Sequence, residues 1–161
     1  MSTRRNATAA LLGLPVLAGA IKPEPEPGPF SEATARIVSY TLYAEARGEP
    51  FKGKLAVASV IKTRAIRTNT SLAETCLKDR QFSCWNELTA VPEFYISGKG
   101  ILPADIKART DCYGLAWLVT TSQAKWDYLT HFYNPSKVTP PWAGSLRGKR
   151  TIGNHVFGYI D

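Results

Sequence analysis

No stretch of the sequence approaches the ~20 consecutive apolar residues that cross a bilayer as a helix. Its main apolar run, Ala7 to Ala20, is short and interrupted by Gly13 and Pro15, so no stable transmembrane anchor is expected. Cysteine is scarce: Cys76, Cys84 and Cys112 are an odd number, and none stands in a Cys-x-x-Cys pair or at zinc-finger spacing, which argues against structural zinc. Two readings of the thiols stay open, one disulfide with a thiol left over (Cys76 with Cys84 is the nearest pair) or three small buried apolar residues. There are two histidines, His131 and His155, and no His-Glu-x-x-His spacing. A catalytic zinc joining them to Glu45 is a conceivable ligand set, but the spacing does not support it, and no metal or cofactor is expected. Lys and Arg form no long basic runs and no nucleic-acid reading module is visible, so nucleic acid is not an expected partner.

What is present is a basic chain of modest length. It has 161 residues, 44% of them hydrophobic, and 20 Lys plus Arg against 13 Asp plus Glu, a net charge of +7. That length suits one core, since compact domains usually hold ~100–150 residues. Most of the charge excess lies beyond the first thirty residues, so the folded part should attract polyanions, the anionic cell wall among them.

Arg4 and Arg5, the apolar run and Ala18-Gly19-Ala20 resemble a signal peptide over residues 1–20, which implies export to the periplasm, wall or exterior. Proline alternating with charge from Lys22 to Pro29 favours an extended spacer, residues 21–30. The folded domain is expected over residues 31–161. Ser31 is a plausible N-cap for a helix from Thr34 to Arg47, halted by Gly48 and Pro50. A second helix is expected from Lys52 to Arg67, with Val57, Val60, Ile61 and Arg64 on one face. Ser71-Leu72-Ala73-Glu74 reads as a capping box opening a short helix through Leu77. The stretch Leu88 to Asp105 reads as loop, with room for a short helix near Glu93. Cys112, Leu115, Ala116, Val119, Gln123 and Trp126 carry helical periodicity and predict a central helix over Asp111 to Trp126. Leu129 to Tyr133 and Thr151 to Tyr159 predict a small antiparallel pair. The fold class is α+β, mostly helical.

One polar residue stands where the helical pattern calls for an apolar one. Val38, Thr41, Leu42 and Glu45 fall at i, i+3, i+4 and i+7, so Glu45 occupies the stripe that faces the core. A carboxylate there either pairs with a cation, such as Arg47 or Arg64, or holds its proton and serves as a general acid. Cleavage of a glycosidic bond needs such an acid, because the leaving oxygen must be protonated. Glu49, between Gly48 and Pro50, reads as a solvated terminal carboxylate, with catalytic support as the alternative; two carboxylates on one substrate would allow a hydrolytic mechanism.

The segment Tyr43 to Ile61, which includes Glu45-Ala46-Arg47-Gly48-Glu49-Pro50, resembles the opening of the SleB/CwlJ cell wall hydrolase family, found in spore cortex-lytic enzymes and in phage relatives. Gln81-Phe82-Ser83-Cys84-Trp85 resembles its middle motif. Thr130-His131-Phe132-Tyr133, Pro141-Trp142-Ala143 and Ile152-Gly153-Asn154-His155-Val156-Phe157 resemble its closing motifs, in order. The resemblance spans about residues 34 to 158 and implies a lysozyme-like α+β fold. It also implies cleavage of the β-1,4 bond between N-acetylmuramic acid and N-acetylglucosamine in peptidoglycan glycan strands, with Glu45 as acid/base and no cofactor. Lytic transglycosylation, which needs no second carboxylate, is favoured over lysozyme-type hydrolysis. Asp105, Asp111 and Asp127 occupy no motif that nominates a partner. Gln81, Ser83, Tyr133, Asn134 and Trp142 are the expected substrate-binding residues, since sugars stack on aromatic rings and need hydrogen-bond partners. His131 and His155 are expected to orient Glu45 or the sugar, while Phe82, Trp85, Phe132 and Phe157 are expected in the core. A noncatalytic wall-binding or virion structural protein and a zinc amidase are the alternatives. A phage endolysin or a virion component in contact with other virion or envelope proteins remains compatible.

Overall fold

A computed structural model describes residues 31–122 and 125–161. The leader and the proline spacer, and Gln123 of the periodic series, lie outside these residues. Five helices come first: α1 (Glu32–Ala46), α2 (Phe51–Thr68), α3 (Leu72–Leu77), α4 (Glu93–Ser97) and α5 (Pro103–Thr121). Three strands follow, β1 (His131–Tyr133), β2 (Arg147–Ile152) and β3 (His155–Tyr159), in an antiparallel sheet ordered β1-β3-β2. The α+β, mostly helical expectation holds. Among the described residues no helix is long and apolar enough to cross a membrane.

Local chemistry accounts for the helix ends. The Ser31 hydroxyl accepts from the Thr34 N–H and starts α1, and Ser71 with Glu74 forms the expected capping box of α3. Pro50 caps the start of α2, where a missing N–H is harmless, and Asn69, in the left-handed region at φ 53°, ends it. The buried stripe of α1, Val38 and Leu42, packs chiefly on α5, which also supports α2. Thus α5 is the central helix, burying Ala108, Cys112, Leu115, Ala116 and Val119.

Two expectations are corrected here. The central helix begins at Pro103, eight residues before Asp111, and ends at Thr121, so Trp126 is not on it. Pro103 lies in the first turn of α5, the one part of a helix where proline fits well; it begins the helix instead of breaking the chain. Thr151 to Tyr159 is likewise not one strand. It contains the turn between β2 and β3, so the predicted pair is a three-stranded sheet. The Arg147–Ile152 strand shows almost no alternation because it is an exposed edge, and charge on an edge strand discourages further pairing.

Polar contacts fix the aromatic part of the core. The Trp85 indole N–H donates to the Thr41 hydroxyl over 2.9 Å. Tyr40 meets Trp85 and Tyr95 edge to face, at 5.3 Å in each case. Phe82, Trp85 and Phe157 are buried as expected, whereas Phe132 is half-buried and reaches the cleft described below. All three cysteines are free thiols, Cys76 and Cys112 buried, in keeping with the reading as small apolar residues, and Cys84 half-buried. Burial pushes each of them up to about 12.

Candidate active site

An open cleft of about 850 Å³ lies between the C-terminal end of α1, the segment Arg80–Ser83 and the β1 side of the sheet. Every residue singled out from the sequence lines it: Glu45, Glu49, Gln81, Ser83, His131, Tyr133, Asn134, Trp142 and His155. Position on α1 explains why Glu45 belongs there. Val38, Thr41 and Leu42 are fully buried on the same stripe, and one turn later that stripe runs out of the core into the cleft, where Glu45 is half-buried. Its Oε1 accepts from the Ser83 hydroxyl at 3.2 Å.

Arg64 forms the floor beside it. Its Nε donates to the Thr130 carbonyl at 2.8 Å and its guanidinium lies 5.4 Å from the Phe82 ring centre. Burial lowers its pKa to about 10 while the Glu45 charge pulls it back up, so the guanidinium stays charged at neutral pH.

Glu49 departs from the expected solvated terminal carboxylate. It is 7% exposed, with Oε2 accepting the Asn154 backbone N–H at 2.9 Å and Oε1 the Asn154 side-chain amide at 3.1 Å. His155 Nδ1 is 3.1 Å from Oε1, though its N–H is not aimed along that line. The turn between β2 and β3 folds onto the α1–α2 junction and covers the carboxylate. Two glycines make room for it. A Cβ on Gly153, which has φ +60°, would stand 1.8 Å from Glu49 Oε2, and one on Gly53 would stand 2.9 Å from Glu49 Cβ. The buried Lys54 ammonium donates to the Glu49 carbonyl at 2.7 Å and lies 3.6 Å from Asp111, locking the backbone beneath.

On the opposite wall, Trp142 packs on His131, with ring centres 4.9 Å apart, and stands edge-on to Tyr133 at 5.7 Å. The Thr130 hydroxyl accepts the Ile160 N–H at 2.8 Å and lies 2.7 Å from His131 Nδ1. Burial, then Arg64 and Arg67, hold the His131 pKa below its usual value. The unfolded chain therefore takes up this proton first, so the His131 contribution to stability is intact above the unfolded value of about 6.5 and is lost as pH falls through it. Nuclear magnetic resonance should give a His131 midpoint below that of a free histidine, and His131→Asn should flatten part of the loss of stability on acidification from pH 7.5 to 5.5.

Asn134 reaches the cleft, but its Oδ1 accepts the Ser136 N–H at 3.0 Å, which builds a turn. Asn154 and the cations Arg47, Arg80 and Lys137 also line the cleft without having been singled out as site residues. Asn154 and Arg47 sit in quoted motifs, so their positions are visible in the sequence, whereas Arg80 and Lys137 carry no local signal.

The profile of the cell wall hydrolase family matches residues 48–158, a segment that begins just after Glu45. The spore cortex-lytic enzyme of Bacillus subtilis (strain 168) is 29% identical over 134 residues, covering 81% of this chain and 39% of that protein. That of Oceanobacillus iheyensis is 27% identical over 143 residues, covering 81% and 43%. The chain thus spans about two-fifths of the length of these relatives. The catalytic domain of the germination-specific lytic transglycosylase SleB from Bacillus anthracis superposes with a TM-score of 0.54 at 22% identity, covering 83% of this chain and 99% of that domain, which establishes a shared fold. With the profile matched over most of its length, the chain belongs to the cell wall hydrolase family.

Proposed function

We propose that the protein cleaves peptidoglycan glycan strands between N-acetylmuramic acid and N-acetylglucosamine by lytic transglycosylation, with Glu45 as its single acid/base. The observation that carries this reading is that, among the described residues, the cleft offers one available carboxylate. Each oxygen of Glu49 accepts a hydrogen bond from Asn154 and the residue is only 7% exposed, so this carboxylate is tied into the wall of the cleft. Asp105, Asp111 and Asp127 do not line the cleft; they lie beside Arg47, Lys54 with Lys107, and Arg150 respectively.

In this mechanism Glu45 gives its proton to the glycosidic oxygen as the C1–O bond breaks. The resulting carboxylate takes the proton of the muramic acid 6-hydroxyl, whose oxygen closes on C1 to leave a 1,6-anhydro end. No water enters the products. Ser83 can donate to the Glu45 carboxylate once the first proton has left. Trp142 and Tyr133 offer ring faces and edges to the sugars, and Gln81, Ser83 and Asn134 offer polar contacts. Glu49 and His155 act in support by holding the wall of the cleft. The action is placed where peptidoglycan is, in the periplasm or cell wall.

Mass spectrometry of soluble products released from purified peptidoglycan tests the reaction type. Muramic ends 1,6-anhydro in form are the expected result. Reducing muramic ends would replace transglycosylation with hydrolysis and require a carboxylate that activates water.

A further inference from the structure

Beside the cleft lies a second hollow of about 370 Å³. Arg64, Gln81 and His131 line both spaces and so form the partition between them. The hollow is strongly cationic. Besides Arg64 it is lined by Arg67 and Lys78, and its one lining carboxylate among the described residues is Asp161, whose Oδ2 accepts from Arg147 at 2.6 Å. Arg64 and Arg67 donate to neutral carbonyls, those of Thr130 and Ile160, which holds them in place without cancelling their charge. Lys78 is exposed just past the end of α3. The His131 ring in the partition registers this field, since both arginines disfavour its protonation.

We propose that this side hollow is a subsite for the peptide stem of a glycan strand held in the cleft, receiving a carboxylate of that stem against Arg67 and Lys78. The inference rests on the reading of the cleft as a peptidoglycan site. The sugar backbone of such a strand is a linear polymer whose own rings carry no charge. Its anionic groups sit on peptides that branch from the lactyl ether of alternate sugars. A cationic hollow opening from the side of a groove, behind a shared wall, fits a branch better than a continuation of the main chain. Its neutral partners leave the cations free to pair with an incoming carboxylate.

The test measures binding, using the full chain with Glu45→Gln to prevent turnover. Soluble glycan strands with intact stems are compared with the same strands stripped by an amidase, which leaves on each muramic acid only the short lactyl carboxylate, held at the ring and too short to reach the side hollow. Adding Lys78→Glu should weaken binding of stem-bearing strands about tenfold and leave stripped strands within about twofold, and Lys78→Ala should give a smaller loss in the same direction. Lys149→Glu, on the exposed β2 strand, makes the same change in net charge and should affect neither substrate. Equal weakening of both strands by the Lys78 variants, or no weakening of either, overturns the subsite. If the parent binds neither kind of strand, the reading of the cleft itself fails and the subsite falls with it.

Discussion

Glu45→Gln is expected to lower the turnover of peptidoglycan by about 100-fold to 10,000-fold, the contribution usual for a positioned general acid. In barrier height this is about 3–5 kcal/mol, at 1.36 kcal/mol per decade. The substitution keeps the shape and leaves an oxygen able to accept from the Ser83 hydroxyl, which now lies 3.2 Å from the carboxylate. It removes only the proton that the leaving oxygen requires. Stability should change by less than about 1 kcal/mol, since the side chain is only half-buried. Strand binding should survive, which separates loss of chemistry from loss of the cleft. Turnover near that of the parent would remove Glu45 from the reaction and leave the cleft without an available acid.

The second large effect is structural and falls on a residue with no side chain. Gly153→Ala should destabilise the protein by about 3 kcal/mol. Alanine at φ +60° costs about 1–2 kcal/mol, and the new Cβ, aimed 1.8 Å from Glu49 Oε2, forces a buried carboxylate off its donors for about 1–3 kcal/mol more. For a domain of this size the melting temperature should fall by about 10 °C. Turnover should fall as well, because Asn154 and His155 move with the turn. Two further variants separate the causes. Gly153→Asn accepts the backbone angle but retains the clash, and should recover little. Gly148→Ala has nearly the same angle, φ +58°, but meets the edge of the Tyr159 ring, which can swing aside, so about 1–2 kcal/mol is expected. Equal losses at Gly148 and Gly153 in thermal melts would show that the contact with Glu49 contributes nothing.

What could be read from the sequence divides by range. The periods and caps of α1, α2 and α3 are local, and their observed ends lie within two residues of those expected. Glu45 was legible for the same reason: a carboxylate on the stripe of Val38 and Leu42 must leave the core or lead to a cleft, and the half-buried position is the second outcome. The ordered motifs then brought nine residues from distant parts of the chain to one cleft. Glu49 was misplaced because nothing near it in sequence buries it; its cover is Asn154, 105 positions away. The β2 strand was missed because an exposed edge has no apolar face to alternate. The start of α5 is hidden in the stretch Leu88 to Asp105, where Pro103 reads as loop punctuation, although proline in a first turn is a beginning. The side hollow has no signature at all, since Arg67, on α2, and Lys78, just past α3, look like ordinary surface charge until the fold places them beside His131.

The 105 positions between Glu49 and Asn154 also have a meaning in time. A ribosome adds residues at about 5–20 per second, so Glu49 is made roughly 5–20 s before the group that covers it. The helices can form and pack in that interval, because most of their contacts are already available. The wall that completes the cleft arrives with the last few residues of the sheet. A nascent chain therefore carries Glu45 for many seconds before the opposite wall exists, and the cleft takes shape only once the turn between β2 and β3 has been made.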